Sequence, residues 1–272
     1  MISDVSEMTN AGCVQFCPAF GETTANIAKM VGFIENADLD LIVFPELATS
    51  GYEFKNRDEA FELALELDNG AEIAQFKNLS ADTDTVLVFG FAERSGEKVY
   101  NSSALIEPDG SVTVYRKIHL FDQEKFRFDP GDRPPGVKTT KVGRIGMLIC
   151  FDWIFPEVTR KLALDGAQLI CHPSNLVLDL CQKSMFARSV ENCVFTLTCN
   201  RTGTENRAGR ELTFTGGSQI LSTRGKTLAV ASAEGEEVIS AAIEPKVTDD
   251  KNLTSNNHIL KDRRPEFYKG LE

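Results

Sequence analysis

The apolar residues of this chain fall into short runs of two kinds. Some are continuous: "LIVF" at 41–44, "VLVFGF" at 86–91 and "IGMLI" at 145–149. Runs of this length, bounded by Pro, Gly or acidic residues, predict strands covered on both faces. Others recur at helical spacing. Ile27, Met30, Val31 and Ile34 in "TTANIAKMVGFIENA" share one helical face, with Thr23 or Thr24 as the N-cap.

Read this way, "CVQFCPAF" is a first strand ending at Pro18, and "EAFELALELDNGAEIAQFKNLS" holds one or two helices. "TVLVFGFAER" and "VYNSSALIEPDGSVTVYRKIHL" are strands joined by turns, Pro108-Asp109-Gly110 being the clearest. After the Gly/Pro-rich loop "FDPGDRPPG" come the strand ending at Cys150, the helix "PEVTRKLALDGA", the strand "AQLICHPSN", the helix "CQKSMFARSVENC" and the strand "VFTLTCNRTG". "TGGSQILSTRG" and "EEVISAAIEP" close the series. Strands alternate with helices in the first and third quarters, and hairpins dominate the second and fourth. That mixture predicts an α/β protein with mixed sheets. "ADLDLIVFPELATSGY" and "DGAQLICHPSNLVLDL" echo each other, which suits two similar sheets packed together. No low-complexity linker interrupts the chain, so residues 1–247 read as one domain and 248–272 as a polar tail.

Charge and composition remove several classes of function. The 272 residues carry 29 basic and 40 acidic side chains, a net charge of −11. This argues against a nucleic-acid partner, which needs clustered Lys and Arg, and against a polybasic membrane anchor. No apolar run approaches the roughly 18 residues of a membrane span. "MISDVSEMTNAG" is polar and acidic, so no secretory leader is expected. With seven Cys and no leader, the reading is reduced thiols and a cytoplasmic location. There is no Cys-x-x-Cys, and the three His are scattered, so no metal site and no cofactor are expected. The row "GGSQI" around Ser218 is no nucleophile elbow, and "RGKT" at 224–227 lacks the Gly that a phosphate loop requires.

Four positions survive, each ending or following an apolar run: Glu46 after "LIVFP", Lys117 in "VYRKIHLF", Glu124 in "FDQEKF" and Cys150 after "GMLI". Singly, each has a plain reading: a core thiol, a turn acid, a strand lysine, a solvated loop acid. Together, "FPELATSGY", "YRKIHLFDQEKFRFDPGD" and "GMLICFDWIFPE" resemble the three signature blocks of the nitrilase, or carbon–nitrogen hydrolase, superfamily. The similarity runs from about Cys13 to Ile243, with the blocks in order.

The resemblance implies a four-layer α-β-β-α sandwich of two mixed sheets, and a homodimer or higher homo-oligomer with the tail at the subunit interface. It also implies roles. Glu46 would take the thiol proton, because a thiol is a poor nucleophile until deprotonated. Lys117 and the backbone N–H of Phe151 would face the developing oxyanion. Glu124 would orient Lys117, and Cys150 would form a thioester. Tyr52, Phe126, Trp153, His172 and Asn175 resemble pocket-lining positions. Glu157 reads as an acid favoured by its helix N-terminus. Arg188 and Glu191 read as a helical ion pair or as neighbours of the site.

The implied reaction is hydrolysis of a non-peptide carbon–nitrogen bond in a small molecule. Nitrilases of the superfamily usually read Cys-Trp-Glu at the nucleophile. Cys150-Phe151-Asp152 is nearer the amidase and carbamoylase branches, so a small aliphatic amide is expected first. Carbamoylases acting on amino acids tend to place paired Arg just after the Cys; here Trp153 and Ile154 stand there. A nitrile, an N-carbamoyl amine and a non-catalytic scaffold are the alternatives; the last has no need of a thiol beside a base. Loops 52–60, 121–136 and 176–184 set the pocket. An activated exposed thiol would make the activity dependent on reducing conditions.

Overall fold

A computed structural model describes residues 8–68 and 70–269. Two large mixed sheets stack face to face, each with three parallel strands at its centre. The first sheet runs in the order Glu237–Ile243, Thr9–Gln15, Leu41–Val43, Val86–Ser95, Lys98–Ile106, Val112–Arg116, and Leu65–Glu66 also pairs with Val86–Ser95. The second runs Thr227–Val230, Gln219–Leu221, Phe195–Cys199, Leu169–Pro173, Gly143–Met147, Val137–Thr140. The echoing segments found in the sequence supply Leu41–Val43 and Leu169–Pro173, the middle parallel strand of each sheet.

Alternation explains why these strands are apolar throughout. Leu41, Val43, Val86 and Val88 point between the sheets toward Leu169, Cys171, Leu197 and Cys199. Ile42, Phe44, Leu87 and Phe89 point outward to Ile27, Met30 and Ile34 of the helix Thr23–Glu35 and to Ile73 and Phe76 of the helix Ala71–Thr83. The helices Pro156–Leu164 and Cys181–Asn192 cover the outer face of the second sheet through Val158, Leu162 and Met185. The layers are therefore helix, sheet, sheet, helix. Each fully buried Val, Leu, Ile or Phe contributes about 1.5–3 kcal/mol.

Local readings differ at the edges of elements. The first strand stops at Gln15, short of Pro18, because its antiparallel partner begins at Glu237 opposite it. No side-chain cap hydrogen bond opens the helix Thr23–Glu35. Asn26 ties its start down instead, accepting the Ala19 N–H and donating to the carbonyls of Ala19 and Thr49. The hairpin Thr204–Arg207/Arg210–Thr213 has no apolar run to announce it. The tail is not loose where it begins: buried Lys251 donates to the carbonyls of Asn192 and Cys193, at 3.1 and 2.8 Å. Beyond it, Leu253, Phe267 and Tyr268 face outward. All seven cysteines are free thiols, and among the described residues no helix is long and apolar enough to cross a membrane.

Candidate active site

Polar side chains converge where strands of both sheets end, the place where open α/β sheets commonly hold their ligands. Glu46 follows the strand Leu41–Val43. Its backbone rests on Gly90: a Cβ there would lie 2.4 Å from the Glu46 Cα. Only glycine permits this approach, which the bonds Ala48 N–H to Gly90 O and Gly90 N–H to Pro45 O fix at 2.8 and 3.0 Å. Lys117 follows the strand Val112–Arg116 and is held by its own peptide, N–H to Asn101 O and O to Gly131 N–H, both 2.8 Å. Glu124 opens the short helix Glu124–Arg127.

These three are buried together. Lys117 Nζ donates to Glu46 Oε1 at 2.6 Å and to Glu124 Oε1 at 2.8 Å. Glu124 further accepts the Tyr52 hydroxyl at 2.8 Å and the Phe121 N–H at 3.1 Å. Glu46 Oε1 also accepts Asn101 Nδ2 at 2.7 Å. Glu46 Oε2 is buried with no partner among the described residues.

Electrostatics follow from this packing. Burial alone would drag the Lys117 ammonium down, but the Glu124 and Glu46 carboxylates beside it hold it above the ordinary lysine value. Burial raises Glu124 to about 7, with Lys117 opposing and Glu46 adding to the rise. The Tyr52 hydroxyl is pushed well above its usual range by burial and by the charges of Glu124 and Glu46, so it stays a donor.

Cys150 follows the strand Gly143–Met147 in the second sheet and starts the 3₁₀ turn Cys150–Ile154. Its φ of +41° is a left-handed conformation that non-glycine residues rarely take. Two buried groups hold it there. Asp152 reaches back to the Ile149 N–H at 2.9 Å and also accepts the Tyr115 hydroxyl, at 2.8 Å, while its other oxygen meets His119 Nδ1 at 2.8 Å. His172 Nε2 lies 2.9 Å from the Cys150 carbonyl, which only accepts, so the ring carries its proton there. Burial lowers His172 to about 4 and keeps it neutral. The Cys150 thiol is pushed well above its usual value, by burial first and Glu46 next, with Lys117 partly opposing. At 5% exposure it is a neutral, sheltered thiol, not the exposed thiolate that ready oxidation requires.

A small cavity of about 80 Å³ opens onto this sulfur. Phe121, Phe151, Trp153 and Ile154 line one part, and the segment Asn175–Leu178 with Leu180 the rest. Asn175 is the polar exception: neither its Nδ2 nor its Oδ1 has a partner among the described residues.

The expected pocket residues thus separate. Trp153 and Asn175 line the cavity. Tyr52 is spent on Glu124, and His172 lies beneath the Cys150 peptide. Phe126 is corrected outright: it is 74% exposed, because the short helix turns it away from Glu124 and into solvent. Arg188 pairs with Glu191 and also donates to the Trp153 carbonyl at 3.1 Å, bracing the turn. Glu157 is an exposed acid in the first turn of its helix. Sequence reading gave Asn101, Asp152 and Glu205 no role in holding the site. Asn101 did leave a signal, a polar residue in a strand buried on both faces, which must find a partner. Glu205 left none: it takes the N–H groups of Tyr52 and Glu53, far away in sequence, and pairs with Arg201, which lies just ahead of its unremarkable hairpin.

A family model described as carbon-nitrogen hydrolase matches residues 10–251. The chain is 40% identical over 266 residues to "Nitrilase" of Pyrococcus abyssi (strain GE5 / Orsay), covering 96% of this chain and 99% of that one. It is 33% identical over 258 residues to "(R)-stereoselective amidase" of Pseudomonas sp, covering 92% and 90%. Among solved structures, the carbon-nitrogen hydrolase from Helicobacter pylori G27 is similar with a TM-score of 0.86 at 27% identity, over 97% of each chain.

Proposed function

The chain belongs to the carbon–nitrogen hydrolase family, and on that premise we propose that it converts a small aliphatic amide to its acid and ammonia through a thioester on Cys150. One observation carries the reading. The Glu46 carboxylate spends one oxygen on Lys117 and Asn101 and keeps the other buried and unpartnered, with its charge acting on the neutral Cys150 thiol.

In this reading Glu46 Oε2 accepts the thiol proton as sulfur attacks the amide carbonyl. The Lys117 ammonium and the Phe151 N–H, at the start of the 3₁₀ turn where backbone donors have no helical partner, stabilise the oxyanion. Glu124 holds Lys117 in place. The intermediate collapses when Glu46 returns the proton to the departing nitrogen: R–CO–NH2 and Cys–SH give R–CO–S–Cys and ammonia. Glu46 then takes a proton from water, which attacks the thioester and frees the acid and the thiol. Asn175, with a free donor and a free acceptor, suits the amide group, and the apolar cavity suits an uncharged acyl chain. No cationic side chain lines the cavity among the described residues, which speaks against a carbamoyl amino acid.

A second reading is favoured by the 40% identity to a protein named nitrilase. The same thiol would add to a nitrile carbon to give a thioimidate, and water would release ammonia and leave the same thioester. Ammonia release across short aliphatic amides, nitriles and N-carbamoyl amines, with Cys150→Ala as control, tests both. Amides should turn over fastest. Turnover of nitriles alone would overturn the amide reading, and turnover by the alanine variant would overturn the thioester.

A further inference from the structure

We propose that Asn101 is a positioning residue that fixes which oxygen of the Glu46 carboxylate receives the Cys150 proton; this rests on the reading of Glu46 as the proton acceptor. Asn101 sits inside the strand Lys98–Ile106, opposite Ala92, with no exposed surface. An ionised carboxylate only accepts, so the carboxamide must present its nitrogen to it. Nδ2 lies 2.7 Å from Glu46 Oε1, the oxygen that Lys117 Nζ approaches to 2.6 Å. Two donors on Oε1 leave Oε2 as the buried oxygen without a partner among the described residues.

The second donor matters because the terminal carboxylate torsion is soft and roughly two-fold. Held by Lys117 alone, the carboxylate can swing and offer either oxygen to the ammonium, and thiol and ammonium then compete for the same lone pairs. Asn101 removes that freedom. Its main-chain carbonyl also accepts the Lys117 N–H at 2.8 Å, so one strand position registers both the carboxylate and the ammonium. A side-chain substitution leaves that peptide bond in place and isolates the contact to Glu46.

The charged and titratable groups acting at Glu46 are Lys117, Glu124, Cys150 and Tyr52. Asn101→Ala removes the uncharged donor that the Glu46 carboxylate has among the described residues. The kcat for ammonia release should fall about 10- to 100-fold, the scale of one hydrogen bond to a charged group, with KM nearly constant. The acid limb of kcat/KM should move up, because Glu124, which shares Lys117 with Glu46, loses part of its hold on that ammonium when the Glu46 carboxylate is free to swing. Asn101→Asp keeps the shape and adds a negative charge, so it should move the limb further and carries the test if the alanine variant does not fold. A lower Tm with the limb in place in both variants would mean a purely structural role and overturn the proposal. Glu46→Gln separates the two claims. If it still releases ammonia, the base assignment falls; if it is inactive while both Asn101 variants keep the wild-type limb, only the Asn101 assignment falls.

Discussion

Consider the loss of a single hydroxyl, Tyr52→Phe. In the folded protein that hydroxyl donates to Glu124 Oε1 at 2.8 Å and is one of three donors to this carboxylate, with Lys117 Nζ and the Phe121 N–H. The ring itself packs edge-on to Phe214, a contact that phenylalanine preserves. A hydrogen bond to a charged group is worth about 1.5–3 kcal/mol, and one pKa unit corresponds to about 1.36 kcal/mol. Glu124, already raised to about 7, should therefore rise by a further one to two units. If its ionised form is what holds Lys117 as an oxyanion donor, the acid limb of kcat/KM moves from near neutrality into the alkaline range. Activity at about pH 7 should drop roughly tenfold and return as pH approaches about 9. The assay is ammonia release across pH with circular dichroism as a check on folding. An acid limb that stays in place in a folded Tyr52→Phe protein would refute the argument that Glu124 must be ionised.

Glu46→Gln should slow acylation by about 10²- to 10⁴-fold, and rapid-mixing experiments should show no burst of ammonia; a wild-type burst would remove Glu46 as the base. Glu124→Gln should change how stability depends on pH. The folded carboxyl keeps its proton to about 7 against 4.5 in the open chain, so its contribution to stability is full below 4.5 and is lost as pH climbs through about 7. The glutamine variant cannot titrate there, so calorimetric Tm relative to wild type should rise across that window, and a flat difference would contradict the shift. The resting Cys150 thiol should show no thiolate ultraviolet band near neutral pH when wild type is compared with Cys150→Ala, and peroxide should inactivate slowly; a neutral-pH thiolate band would contradict a protonated resting state.

How much of this was legible beforehand depends on the range of the forces involved. Strands whose two faces are both covered write themselves as unbroken apolar runs, so 41–44 and 86–91 could be seen without coordinates. The order of strands in each sheet could not, because pairing such as Thr9–Gln15 with Glu237–Ile243 joins opposite ends of the chain. At the site, Glu46, Lys117, Glu124 and Cys150 stood out through local motifs. The groups that hold them did not. Asn101 is marked only as a polar residue in a covered strand, its partner illegible until Glu46 is folded over Gly90, and His172 looks like a pocket ligand until its Nε2 is seen under the Cys150 carbonyl. Phe126 was misjudged because sequence adjacency to Glu124 says nothing about which side of a one-turn helix faces solvent.

Glu46 and Lys117 follow strands of the first sheet and Cys150 a strand of the second, and the edge strand of the first sheet, Glu237–Ile243, is also among the last to be synthesised. A nascent chain therefore carries Cys150 well before the edge of the opposing layer can close. Under the proposed thioester reading, the carboxylate and the thiol are held at a fixed separation only once both layers are packed, so an unfinished chain is expected to be inactive.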